Sequence, residues 1–170
     1  MLMVAGFGRR LLAQNASPRY RPLARPVVIP LDGMATPWRA QPFVADGVTL
    51  ASAATPNQPI RISGMVVRTS AGGNTPERFA AVCVRCPHEY CDVDFLADAN
   101  QLPPEVKQEI GHGVDHSVFV CPCHNSTFDG ADGARLAGPA PRGLYRFRVT
   151  NVTNAAVEIA EVEEDVLIFV

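Results

Sequence analysis

The sequence predicts an all-β protein carrying one short inserted helix. Three observations carry that expectation. From about residue 46 onward the chain breaks into short runs rich in β-branched and aromatic residues, separated by Gly, Pro, Asn and Asp. A single stretch, Pro103 to Ile110, has helical character. No internal repeat of solenoid or propeller length interrupts the pattern.

In chain order, strands are expected at Ile60 to Thr69 (IRISGMVVRT), Arg78 to Val84, Ser117 to Val120, Leu144 to Thr150, Ala156 to Val162 and Val166 to Val170. The helix between them, PPEVKQEI, opens on Pro103 and Pro104, where a missing N–H costs nothing, and is stopped by Gly111. The first 31 residues differ in texture. They hold five Arg (Arg9, Arg10, Arg19, Arg21, Arg25) and no Asp, Glu or Lys, interleaved with Pro18, Pro22, Pro26 and Pro30. Such a segment forms neither a long helix nor a central strand. Residues 1–45 are therefore expected as an extended arm, solvated or lying on a partner or an anionic surface, and residues 46–170 as the folded domain.

Composition excludes some functions. With 170 residues and 47% apolar content the chain can bury a core. Its net charge of -2 lacks the basic face that nucleic-acid binding uses, so no nucleic-acid partner is expected. Met1 to Gly8 (MLMVAGFG) is apolar but far shorter than the roughly 20 residues that span a bilayer. Arg9-Arg10 resembles a twin-arginine signal, yet the apolar stretch precedes the pair rather than following it. Either an anchor extends upstream of this start or a partner provides membrane attachment.

Metal-ligand chemistry concentrates in two strings, Cys86-Pro-His88-Glu-Tyr-Cys91 and Cys121-Pro-Cys123-His124-Asn-Ser126. They contain four of the five cysteines and two of the four histidines. Cys83, His112 and His116 are read as buried or hydrogen-bonded residues with no ligand role. Spacing admits two metals. Cys83-x-x-Cys86 with Cys121 and His124 would close a tetrahedral zinc site, making the chain a zinc-stabilised binding module. Two thiolates plus two imidazoles would hold a [2Fe-2S] cluster, a reading that employs His88, Cys91 and Cys123 as well.

The paired strings resemble the two cluster-binding boxes of Rieske iron-sulfur proteins, whose usual forms are CTHxGC and CPCHGS. Gly138-Pro139-Ala140-Pro141 resembles the proline loop that covers the cluster. The resemblance spans roughly residues 60–170 and implies an antiparallel β-sandwich with a cluster-binding subdomain built from loops near 83–92 and 121–142. It implies Cys86 and Cys121 as ligands of the inner iron, His88 and His124 as ligands of the outer iron, and a disulfide between Cys91 and Cys123. Ser126 matches the serine that donates to a bridging sulfide. Phe128 stands where high-potential members carry Tyr, so a lower potential is expected. Glu89 and Tyr90 replace an apolar residue and Gly in the first box, and Asn125 replaces the Gly of the second.

Replacing two thiolates by neutral imidazoles raises the potential of such centres to about -150 to +300 mV, against about -400 mV for plant-type ferredoxins. The resemblance implies a one-electron carrier in which His88 and His124 contact quinol, menaquinol being one candidate. The partners implied are cytochrome b and a c-type cytochrome of a bc-type respiratory complex. A disulfide implies an oxidising compartment, the periplasmic side of a bacterial inner membrane. The alternative is the Rieske small subunit of a periplasmic molybdenum enzyme such as arsenite oxidase. The 29 residues between Cys91 and Cys121 exceed those of compact members, and Pro103 to Ile110 is the expected insertion, either a partner contact or a surface loop.

Overall fold

The computed structural model of the chain describes residues 18–49, 59–164 and 166. Ten strands and one α-helix are present among them: β1 (Tyr20–Pro30), β2 (Ala40–Thr49), β3 (Pro59–Arg68), β4 (Phe79–Cys83), β5 (Asp94–Leu96), α1 (Pro104–Ile110), β6 (Val118–Val120), β7 (Thr127–Asp129), β8 (Arg135–Ala137), β9 (Arg146–Val152) and β10 (Ala156–Glu163). They form a six-stranded sheet in the order β1-β10-β9-β4-β3-β2 and a four-stranded sheet in the order β5-β6-β7-β8. Every pairing is antiparallel. The architecture is thus the all-β one expected.

Residues 20–45 correct the expected arm. Instead of leaving the domain, they supply β1 and most of β2, the two edges of the large sheet. Edge strands tolerate proline because one row of backbone groups needs no partner. The prolines sit accordingly: the β1–β10 register breaks between Pro22 and Val27, a bulge that contains Pro26, and Pro30 ends the strand. Leu23 and Ile29 anchor β1 by pointing into the core. Met1 to Gly8, Arg9 and Arg10 lie outside the described residues. So does most of the expected strand Val166 to Val170; Val166 itself is buried but belongs to no strand. Among the described residues no helix is long and apolar enough to cross a membrane.

Strand periodicity decides where the second sheet sits. Along β3, Ile60 and Ile62 are buried while Arg61 and Ser63 are exposed, but Val66 and Val67 are both fully buried. A strand buried on both faces has a layer on each side. Val66 and Ala81 join the core inside the large sheet, with Phe43, Phe147, Val157 and Ile159. Val67 and Val82 face a second core containing Phe119, Phe128, Leu144, Cys86 and Cys121. The four-stranded sheet therefore packs on β3 and β4 and carries two of the cysteines in the seam.

The insertion between β5 and β6 folds onto the outside of this small sheet. Val106 of α1 and Leu102 pack against Val118 and Ala137. The helix ends at Gly111 in the left-handed conformation (φ 74°), its N–H donating to Lys107 O at 3.2 Å, the stop expected from sequence.

His116 joins the two sheets. Its Nε2 lies 2.8 Å from Asp129 Oδ1 and its Nδ1 3.2 Å from Asp115 Oδ1. Trp38, from the β1–β2 connection, stacks on the ring at 4.7 Å. Burial disfavours the charged ring, but the hydrogen bonds to Asp129 and Asp115 outweigh it and raise its pKa. A pKa higher in the folded than in the unfolded state gives stability that is complete below the unfolded value and lost as pH rises through the folded one. Unfolding midpoints of the wild type and His116→Gln are therefore expected to converge as pH rises from about 6 towards 8.5, the ordinary value being about 6.5. A constant difference across that range would contradict the charged bridge.

Candidate metal centre

Both candidate strings fold as the same six-residue turn. In the first, Cys86 N–H donates to Cys91 O (2.9 Å) and Tyr90 N–H to Cys86 O (3.0 Å). In the second, Cys121 N–H donates to Ser126 O (2.8 Å) and Asn125 N–H to Cys121 O (2.9 Å). Pro87 and Pro122 follow the first cysteine of each turn, where a preset φ suits the bend. The fifth residues, Tyr90 and Asn125, have φ of 60° and 58°. These are the positions at which the usual boxes carry Gly, and the left-handed backbone is the reason. Asn adopts it readily, whereas a bulky residue such as Tyr is strained there.

The small sheet brings the turns together. The first leads into β5 and is closed at its base by the Arg85–Asp92 ion pair (3.2 Å), with Arg85 also donating to Tyr90 O (3.0 Å). The second joins β6 to β7. A disulfide links Cys91 to Cys123, their Cα atoms 6.6 Å apart. This is the pairing implied by the Rieske boxes.

Cys86 and Cys121 are buried free thiols, near enough for Cys121 to bear on the ionisation of Cys86. Burial raises the pKa of Cys86 and the neighbouring Cys121 adds to the effect, while the backbone N–H groups of His88 and Glu89 donate to its sulfur and oppose it. At the outer edge the His88 and His124 rings meet edge to face at 5.0 Å, and His124 is about half exposed (46%). Glu89 Oε2 lies 3.6 Å from His124 Nδ1.

These features test the fit of a mixed thiolate and imidazole cluster. Two adjacent sulfurs lie inside, with backbone donors trained on one of them, and two imidazoles lie at the rim. That donor set suits a [2Fe-2S] centre with Cys86 and Cys121 on one iron and His88 and His124 on the other. The zinc arrangement is overturned by Cys83. It lies on β4 in the core of the large sheet, and burial pushes its thiol up to about 11. Cys86 and Cys121 instead share the core between the two sheets, to which Cys83 does not belong.

Ser126 and Gly138 to Pro141 close one side. Ser126 is fully buried, and its Oγ accepts from Ala140 N–H at 3.1 Å, which leaves its hydroxyl hydrogen available to a cluster sulfide. Gly138 (φ 83°) rests against Ser126 so closely that a Cβ would lie 2.5 Å from Ser126 Cα. Beyond the loop, Arg142 pairs with Glu163 of β10, whose other oxygen accepts from Arg146 N–H (2.9 Å).

Two contacts to this loop come from residues that the motifs do not mark. Gly138 N–H donates to Glu109 Oε1 of α1 at 2.8 Å, and Arg135 Nη1 donates to Gly138 O at 2.7 Å. A carboxylate bound to a backbone N–H leaves no pairwise signature in sequence, so only the placement of α1 reveals it.

No curated protein matches the chain. The family model described as the Rieske [2Fe-2S] domain matches residues 53–152, more than half of it. The matched span contains both turns, the proline loop and the insertion between them. With the disulfide-linked turns, the paired inner thiols and the outer imidazoles, that match places this chain in the Rieske iron-sulfur family, as an electron carrier with a [2Fe-2S] cluster.

Proposed function

We propose that this protein is the Rieske subunit of a quinol-oxidising, bc-type complex, receiving an electron and a proton from quinol and delivering the electron to a c-type cytochrome. The observation that carries the reading is the outer edge: His88 and His124 stand together at the surface, with His124 about half exposed, on turns locked by a disulfide. When bound, the cluster would supply a one-electron acceptor whose reduction raises the proton affinity of its imidazoles. His88 or His124 would accept a hydrogen bond from a quinol hydroxyl and take its proton as the electron leaves the quinol. Cytochrome b would form the quinol pocket, on the periplasmic side of a bacterial inner membrane, where a structural disulfide persists.

Phe128 bears on the quinol. It is fully buried in the same apolar cluster as Cys86 and Cys121, so no hydroxyl reaches the centre from that side chain. A centre lacking that donor suits a low-potential quinol such as menaquinol. Phe128→Tyr is expected to raise the midpoint by about 40 mV, the equivalent of one hydrogen bond of about 1 kcal/mol for one electron. Redox titration followed by visible circular dichroism measures it, and an unchanged or lower midpoint would contradict the assignment.

Native purification with identification of the bound subunits tests the function. Cytochrome b together with c-type haem supports quinol oxidation. A large molybdopterin subunit would instead make the chain the Rieske small subunit of an enzyme of the arsenite oxidase kind.

A further inference from the structure

Glu109 and Gly138 are 29 residues apart, yet one hydrogen bond joins the end of α1 to the loop over the centre. Arg135 donates to the carbonyl of the same glycine, so Gly138 is held by side chains on both its N–H and its C=O. We propose that Glu109 is a positioning residue for the cluster-covering loop, and that the insertion between Cys91 and Cys121 is the buttress that presents it.

The contacts around Gly138 leave little slack. The acceptor is a carboxylate, which makes the hydrogen bond to Gly138 N–H charge-assisted and stronger than a neutral one. Gly138 lies on the backbone of Asn125 and Ser126, the residues directly after His124. Two residues on, Ala140 N–H donates to Ser126 Oγ, and Ala140, Ser126 and Cys121 are all nearly inaccessible to water. Fixing Gly138 therefore fixes the wall that keeps water from Cys121 and holds the Ser126 hydroxyl in its orientation. The helix is itself pinned, by Val106 and Leu102 against Val118 and Ala137 and by Lys107 Nζ donating to Asn100 O at 2.8 Å. None of this depends on which partner donates the electron.

The test uses the full chain loaded with its cluster and follows bleaching of the visible absorbance by a ferrous-iron chelator under reducing conditions. Glu109→Ala is expected to speed iron release about tenfold, the weight of one hydrogen bond to a charged group. Glu109→Gln keeps an oxygen acceptor and is expected to restore most of the protection. Gln108→Ala alters an exposed neighbour on the same helix that takes no part in holding the helix or the loop, and is expected to leave release unchanged. The midpoint potential should move in Glu109→Ala and stay in place in Gln108→Ala. The proposal is overturned if Glu109→Ala releases iron at the wild-type rate, if Glu109→Gln is no better than Glu109→Ala, or if Gln108→Ala matches Glu109→Ala in release rate.

Discussion

Replacing Cys91 and Cys123 together by Ser is expected to lower the unfolding free energy by about 3 to 4 kcal/mol, the chain-entropy value for a closed loop of about 33 residues. That loop contains β5, α1 and β6, so cutting the bond frees the whole insertion in the unfolded chain as well as the two turns in the folded one. The same substitution should make the cluster labile. The first turn otherwise meets the second through the Cys86–Cys121 thiol contact, the abutting imidazoles and the Glu89–His124 contact. Denaturant titration of the oxidised chain and the double variant measures the stability, and iron retention on gel filtration measures the lability. A loss below about 1 kcal/mol would show that the small sheet alone holds the turns in place.

Gly138→Ala is expected to cost a similar amount, about 3 kcal/mol, because two penalties coincide. The residue has φ of 83°, and its new Cβ would meet Ser126 Cα at 2.5 Å, Ser126 N at 2.7 Å and Asn125 O at 3.0 Å. All three are backbone atoms of the second turn and cannot rotate aside. Gly111→Ala is the matched control: φ is 74°, but the nearest atom lies 4.0 Å away, so only the left-handed conformation is penalised, at about 1 kcal/mol. The difference between the two variants isolates the close approach of the loop to the turn. Equal losses in denaturant titration would mean that the loop can lift away from Ser126. The cluster should suffer only in Gly138→Ala.

Much of the centre was legible because its determinants are local. Each turn is six residues long, and its ligands, its proline and its left-handed position all fall inside that window. The strings therefore marked Cys86, His88, Cys121 and His124 as candidate ligands without any knowledge of the fold. Strand content in β3, β4, β6, β9 and β10 was legible for the same reason, since β-branched and aromatic runs mark it directly. Strands β5, β7 and β8 were not: they are as short as β6, but where β6 reads VFV they read DFL, TFD and RLA, and one charged residue in three leaves too little pattern to separate strand from loop. Prolines hid β1 and the start of β2. They signal non-helical chain equally in a free arm and in an edge strand, and only pairing with β10 and β3 distinguishes the two.

The amino-acid sequence by itself determined the chemistry of the centre and the β character of the chain, since both depend on residue types within a few positions of one another. Tertiary structure alone decided that residues 20–49 complete a sheet, that Cys83 belongs to a different core from Cys86, and that α1 reaches back to hold Gly138 through Glu109. Those facts rest on contacts between segments far apart in the chain. Tyr20 pairs with Glu163, and a carboxylate finds a backbone N–H 29 residues away. Backbone groups are the same at every position, so partners chosen through them leave no trace until the chain has folded.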